Sequence, residues 1–210
     1  MEFKKVAIDF IKEKPSLLKM DGFSEKSIIE HLKLYQGYVN KYNEIMEMLQ
    51  KMSENELKAG NATFSQIREL KVELTFAIGG VKNHEIYFKN LGGIGGEPKG
   101  KLMKQINNDF GSFERWLADF KGSALSARGW VWLVFDTDIG RLINIIGDSQ
   151  NTYPIWGGTP ILALDMYEHA YWMDYQTNKS AYIEAFLKNI DWNDVEKRFK
   201  NIRMDKNASD

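Results

Sequence analysis

The sequence predicts an α+β fold, an N-terminal antiparallel helical hairpin followed by a C-terminal domain of helices around a small three-stranded antiparallel sheet. Three observations predict it. Apolar residues recur at helical spacing through two long stretches of the first half, a glycine cluster interrupts the chain near its middle, and aromatic and β-branched runs gather beyond that cluster. In the first stretch, residues 23–52, Ile28, Ile29, Leu32, Leu34, Tyr35, Tyr38, Val39, Tyr42, Ile45 and Met46 form a broad apolar stripe. Ser24 is a partial cap signal, because Ser27 stands where a capping box wants Glu or Gln. The polar run SENELKAGNATFS, with the turn formers Gly60 and Asn61, ends the pattern, and a second helix is expected over about 64–88. Two long helices joined by a short polar connection predict an antiparallel pair.

LGGIGGEPKG, Leu91 to Gly100, is the clearest punctuation in the chain and divides it into residues 1–92 and 93–210. Helical spacing returns over about 103–125. GWVWLVFD and RLINIIGD, separated by a short turn, then read as an antiparallel hairpin, and PILALD, Pro160 to Asp165, as a third strand. EHAYWMDYQTNKSAYIEAFLKNI resumes helical spacing, and the last residues, 204–210, read as a disordered tail.

Composition excludes several functions. With 210 residues, 43% hydrophobic, the chain is long enough to bury a substantial core. A formal net charge of -1 supplies no field to recruit nucleic acid or an acidic membrane surface. No uncharged run approaches the roughly 20 residues of a membrane span, and charges interrupt MEFKKVAIDFIK every few positions, so neither a membrane nor a signal peptide is expected and the cytoplasm is the expected compartment. The absence of cysteine leaves imidazole, carboxylate and hydroxyl to carry any chemistry.

Only three histidines occur, His31, His84 and His169, each inside an aromatic or aliphatic stretch: IIEHLKLYQGYV, VKNHEIYF and LDMYEHAYW. Buried imidazoles need partners. One metal ion would satisfy all three, with Asp165, four residues before His169, supplying a carboxylate. Three separate core histidines would explain each residue singly, so spacing alone supports no more than a candidate His/Asp site. Without thiolates the donor set suits manganese, iron or zinc. Zinc would point to hydrolysis or to a structural site; for hydrolysis Glu168 is the only acid beside a candidate ligand.

Several ordered blocks resemble the iron and manganese superoxide dismutase family over about 22–199: DMYEHAYW beside DVWEHAYY, GGEPKGKL beside GGEPTGKL, NHEIYF beside NHTFYW, and ARGWVWLV beside GSGWTWLV, with FGSF and Asp191-Trp192 in the expected order. The resemblance implies that His31, His84, Asp165 and His169 bind one manganese or iron ion per chain, with solvent as fifth ligand. It implies turnover of superoxide to oxygen and hydrogen peroxide by alternate reduction and oxidation of that ion. An inactive metal-binding scaffold of the same fold is the other reading, with the hydrolase behind it.

Further roles follow from the resemblance. Tyr38 matches the tyrosine at the mouth of the substrate funnel, seven residues after the first ligand where eight is usual, so the helix here is expected to lack a π-bulge. Aligning without a gap would instead make Glu30 the ligand. The funnel histidine is replaced near Leu34 or Tyr35, and its usual tyrosine partner is Trp172, which puts the family's proton network in doubt. Tyr35, Phe88, Trp130, Trp132, Tyr167 and Trp172 are expected to pack as an apolar cage around the site. Iron-type relatives place a solvent-binding glutamine where this chain has Gly80; the manganese-type position falls on Gln150. With Ala163 two residues before the aspartate, the pattern favours manganese over iron. Glu168 matches a glutamate that reaches the partner's ligand histidine, implying a homodimer or homotetramer.

Overall fold

The computed structural model describes residues 4–152 and 156–207, with no account of the side chains of 203–207. A short helix α1 (Phe10–Glu13) and a 3-10 turn (Pro15–Lys19) lead into the long helix α2 (Glu25–Lys51). Ser24 caps α2, its hydroxyl accepting from the Ser27 backbone N–H at 3.1 Å, so the partial signal suffices. The polar connection holds one more helix than expected, α3 (Glu54–Lys58). Ser53 and Glu56 build a full capping box there: the Ser53 hydroxyl accepts from the Glu56 N–H, and the Glu56 carboxylate accepts from the Ser53 N–H at 2.7 Å.

Helix α4 (Gln66–Asn90) returns along α2. Ile45 clusters with Leu70 and Ala77, and His31 packs edge-on to Phe88 at 4.9 Å, so rising positions on one helix meet falling positions on the other. That is the antiparallel pair the periodicity predicts.

The helical stretch beyond the glycine cluster is two helices rather than one, α5 (Gly100–Phe110) and α6 (Phe113–Ser126). Gly111, at φ +91°, ends the first, and the Ser112 hydroxyl caps the second by accepting from the Arg115 N–H at 3.2 Å. The sheet then forms from β1 (Trp130–Asp136), β2 (Arg141–Gly147) and β3 (Gly158–Asp165), in the order β2-β1-β3 with both pairings antiparallel. β1 lies in the middle and is buried along nearly its whole length, which is why WVWLVF reads as a continuous apolar run. Register sets Trp130 opposite Asp165 and Trp132 opposite Ala163.

A second stretch expected as one helix also divides, into α7 (Glu168–Tyr175) and α8 (Lys179–Lys188). The break falls at Gln176, a non-glycine residue at φ +50°, and the Asn178 side chain caps α8. Helix α9 (Trp192–Asn207) runs into the stretch expected as a disordered tail, because Val195 and Phe199 are fully buried and anchor it while the following residues tolerate a helix. The rest of that expected tail, 208–210, lies outside the described residues. One apolar cluster joins the hairpin to the sheet, with Tyr87, Phe88, Trp116, Trp130 and Phe186 all fully buried. No helix among the described residues is long and apolar enough to cross a membrane.

Candidate metal centre

Four elements converge at one point. His31 projects from α2, His84 from α4, Asp165 is the last residue of β3, and His169 stands in the first turn of α7, one helical turn beyond Asp165. The Nε2 atoms of His31, His84 and His169 lie 3.2, 3.4 and 3.0 Å from Asp165 Oδ2. One potential ligand atom from each residue falls within 4.8 Å of all the others. His84 and Asp165 are wholly buried and His31 is 2% exposed, whereas the His169 side chain keeps 29% of its surface open.

Local hydrogen bonds aim each donor. His84 Nδ1 donates to the Gly80 carbonyl at 2.6 Å, which leaves Nε2 as the free nitrogen. That Nε2 is buried without a hydrogen-bond partner. Asp165 Oδ1 accepts from the Tyr167 backbone N–H at 3.0 Å, leaving Oδ2 to the centre, and the Tyr182 hydroxyl holds the Asp165 carbonyl at 2.7 Å. Tyr182 thereby commits its only proton, so Tyr87 is the donor in the 3.2 Å contact between the two hydroxyls.

Burial pushes His84 down to about 3, reinforced by the neighbouring His31, so its imidazole is neutral. Burial likewise lowers His31, against the pull of Asp165. Burial opposes ionisation of Asp165, but the imidazoles of His169 and His31 outweigh it and hold the carboxyl well below the usual range. A neutral imidazole at His31 and His84 and an ionised carboxylate at Asp165 are states in which such groups bind metal. Nitrogen and oxygen lone pairs crowded to 3.0–3.4 Å, one nitrogen lacking any protein donor, form a set that a cation satisfies. Three imidazoles and one hard carboxylate suit manganese, iron or zinc.

Several of the residues singled out from the sequence pack around this point. Trp130 meets His84 edge-on at 5.2 Å and stacks on Trp132 at 6.2 Å; Tyr167 stacks on His169 at 5.4 Å. Gln150 is 1% exposed, so it is no ordinary loop amide. The Trp130 indole N–H donates to its Oε1 at 3.0 Å, and its Nε2 donates to the Tyr38 hydroxyl at 3.2 Å. A Cβ on Gly80 would overlap the Tyr38 ring, so no larger residue fits there. Ala163 is fully buried, and its N–H donates to the Asn90 side chain at 3.0 Å.

Helix α2 is continuous α-helix from Glu25 to Lys51, and His31 and Tyr38 share its inner face. Glu30 is exposed and pairs with Lys33 at 2.7 Å, so the ungapped alternative is turned away from the centre. Glu168 is exposed on the rim of a cavity that it lines with His169. Trp172 departs from the expected cage: it is 48% exposed, because α7 turns that position outward while Ala170 and Tyr171 face the core. Sequence reasoning missed Asn83, whose amide donates to the Gln150 carbonyl at 3.3 Å, and Glu85, which accepts from the Tyr35 hydroxyl at 2.9 Å and pairs with Lys5 at 2.8 Å. Polar residues within an otherwise apolar helical stretch are the signal that could have found them.

The fold and site together define a mononuclear metalloprotein with three histidines and one aspartate around a single position. Residues 23–92 match the description "Iron/manganese superoxide dismutases, alpha-hairpin domain", and residues 98–198 match the C-terminal domain of the same family. The chain is 41% identical over 183 residues to the Fe superoxide dismutase of Aquifex aeolicus (strain VF5), covering 86% of each protein. It is 42% identical over 185 residues to the Fe superoxide dismutase of Cupriavidus metallidurans (strain ATCC 43123 / DSM 2839 / NBRC 102507 / CH34), covering 86% of this chain and 90% of that one. Against the Mn superoxide dismutase 1 of Halobacterium salinarum (strain ATCC 700922 / JCM 11081 / NRC-1) identity is 35% over 167 residues, 79% of this chain and 80% of the relative. The chain belongs to the iron/manganese superoxide dismutase family.

Proposed function

We propose that this chain converts superoxide to oxygen and hydrogen peroxide at one manganese or iron ion held by His31, His84, Asp165 and His169. The convergence of those four donors, with His31, His84 and Asp165 buried and Asp165 held ionised, is the observation that carries the reading. The bound ion would supply an electron acceptor and donor, so that one superoxide leaves as oxygen and a second, with two protons, leaves as hydrogen peroxide.

The protein's own part is to exclude bulk water and to deliver a proton. Trp130, Trp132 and Phe88 wall the centre with apolar surface, and Tyr38 and His169 remain partly exposed. Indole nitrogen can only donate, so Trp130 fixes the Gln150 oxygen towards itself and the Gln150 amide N–H towards Tyr38. The Tyr38 oxygen is then an acceptor in that chain, and its own proton is free to be donated to an incoming anion. Burial, with the charge of Asp165, pushes Tyr38 up to about 12, so the hydroxyl stays protonated at neutral pH.

Gly80 and Gln150 support manganese ahead of iron in this reading: the Tyr38 ring leaves no room for glutamine at position 80, and Gln150, from the loop after β2, donates to the Tyr38 hydroxyl. The reading also takes the assembled form to be a homodimer or homotetramer, with exposed Glu168 directed to a partner, and the compartment to be the cytoplasm. The test is superoxide turnover of protein loaded separately with manganese and with iron, beside His84→Ala. Turnover in at least one loaded form and its loss in the variant are expected, with manganese the more active. Metal uptake without turnover in either form would overturn the activity; zinc retention with ester or peptide hydrolysis would favour the hydrolase.

A further inference from the structure

Two consecutive glycines in the middle of a long helix weaken it relative to alanine, so Gly79 and Gly80 in α4 call for a packing reason. Gly80 has one in the Tyr38 ring. Gly79 has a different one: a Cβ built there would overlap the backbone carbonyl of Gln150, far inside the 3.0 Å that real Cβ contacts respect, and would crowd the Asn151 nitrogen at 3.2 Å. The obstacle is main chain, which cannot swing aside as a flexible side chain would.

Two hydrogen bonds fasten the same loop to the same helix. Asn83, one turn beyond Gly79, donates from its amide to the Gln150 carbonyl at 3.3 Å, and the Asn151 amide donates to the Thr75 hydroxyl at 3.0 Å. Thr75, Gly79 and Asn83 are spaced by four, so they line one face of α4. His84, next to Asn83, is a proposed ligand, so the helix that carries a ligand also carries the seat of the loop that carries Gln150.

We infer that this face of α4, with Gly79 at its centre, is a positioning device that sets how closely Gln150 approaches the metal position and Tyr38. Gly79 is a positioning residue that acts through Gln150. Alanine at 79 drives the Gln150 carbonyl away from the helix by roughly an ångström or more, a displacement that proposed function-bearing groups tolerate poorly. The Gln150 side chain then cannot keep both its bond to Trp130 and its bond to Tyr38.

The inference rests on the reading of Gln150 given above, and a double-mutant cycle on the metal-loaded protein separates the two. Midpoint potential and metal content are measured for the wild type, Gly79→Ala, Gln150→Ala and the combined variant. Gly79→Ala should keep its metal and move the potential in the direction that Gln150→Ala moves it. The combined variant should match Gln150→Ala alone. A potential unmoved by Gly79→Ala while Gln150→Ala shifts it overturns the inference and leaves the Gln150 reading standing, as does a combined variant whose shift is the sum of the two. A potential unmoved by Gln150→Ala removes the Gln150 reading and the inference with it. Should Gly79→Ala fail to fold, Asn83→Ala and Thr75→Val release the loop without adding bulk. Each should move the potential in the same direction by a smaller amount, and no movement in either overturns the proposal.

Discussion

At His84 the imidazole is wholly buried, one nitrogen donates to the Gly80 carbonyl, and the other has no hydrogen-bond partner in the protein. An unsatisfied buried nitrogen is costly to keep, and a metal ion relieves that cost. Gln150 differs, since its bonds run to Trp130 and Tyr38 rather than to the ligands. Gln150→Ala is therefore expected to retain the metal while lowering turnover by about 10- to 100-fold, measured as superoxide consumption per bound ion. Unchanged turnover per ion would remove Gln150 from the site. The four proposed ligands were legible because histidine is scarce in this chain and because the surrounding motifs are specific. Asn83 and Gly79 were not: their roles depend on a loop 67 residues further along than Asn83 approaching the helix, which no local pattern encodes.

Among the elements, the long helices and the sheet follow from periodicity, while the helix breaks do not. Both unanticipated breaks use a residue at positive φ, Gly111 and Gln176, followed by a side-chain cap, Ser112 and Asn178. Glycine at 111 accepts that conformation without strain; glutamine at 176 does not. Gln176→Gly should accordingly raise stability by about 1 kcal/mol, seen as a higher denaturant midpoint at unchanged slope. A lower midpoint would mean that the strain is absent or offset by side-chain contacts. Conversely, Ser112→Ala removes the cap of α6 and should lower stability by about 1 kcal/mol. Capping also accounts for α3, where Ser53 and Glu56 satisfy each other's backbone N–H groups within a stretch too polar to be anchored by burial.

Over the whole molecule, the metal centre and the core are one structure. Tyr87 and Tyr182 are wholly buried beside the ligands, and burial pushes both hydroxyls well above their usual value of 10.0; it raises Tyr35 and Tyr38 as well. A raised folded-state value means that the stabilising contribution is complete below pH 10, where both states are protonated. As the pH climbs past 10, the unfolded chain loses its phenolic protons first, so stability falls progressively through the raised folded-state values. Alkaline titration followed by tyrosinate absorbance should therefore show a late, cooperative rise coinciding with loss of helical circular dichroism. Ionisation of these tyrosines well before unfolding would contradict the burial on which the cage depends. Removal of the ion should lower the thermal midpoint, because metal bound only by the folded chain adds directly to stability.

The most direct test of the central claim, that four donors from α2, α4, β3 and α7 share one ion, is metal stoichiometry by elemental analysis. It compares the purified chain with His84→Ala and Asp165→Ala, each grown with manganese and iron supplied. About one manganese or iron per chain in the parent, lost in both variants, is the expected result. Metal retained at the parent level in both variants, or none in a folded parent grown with both metals, would contradict it.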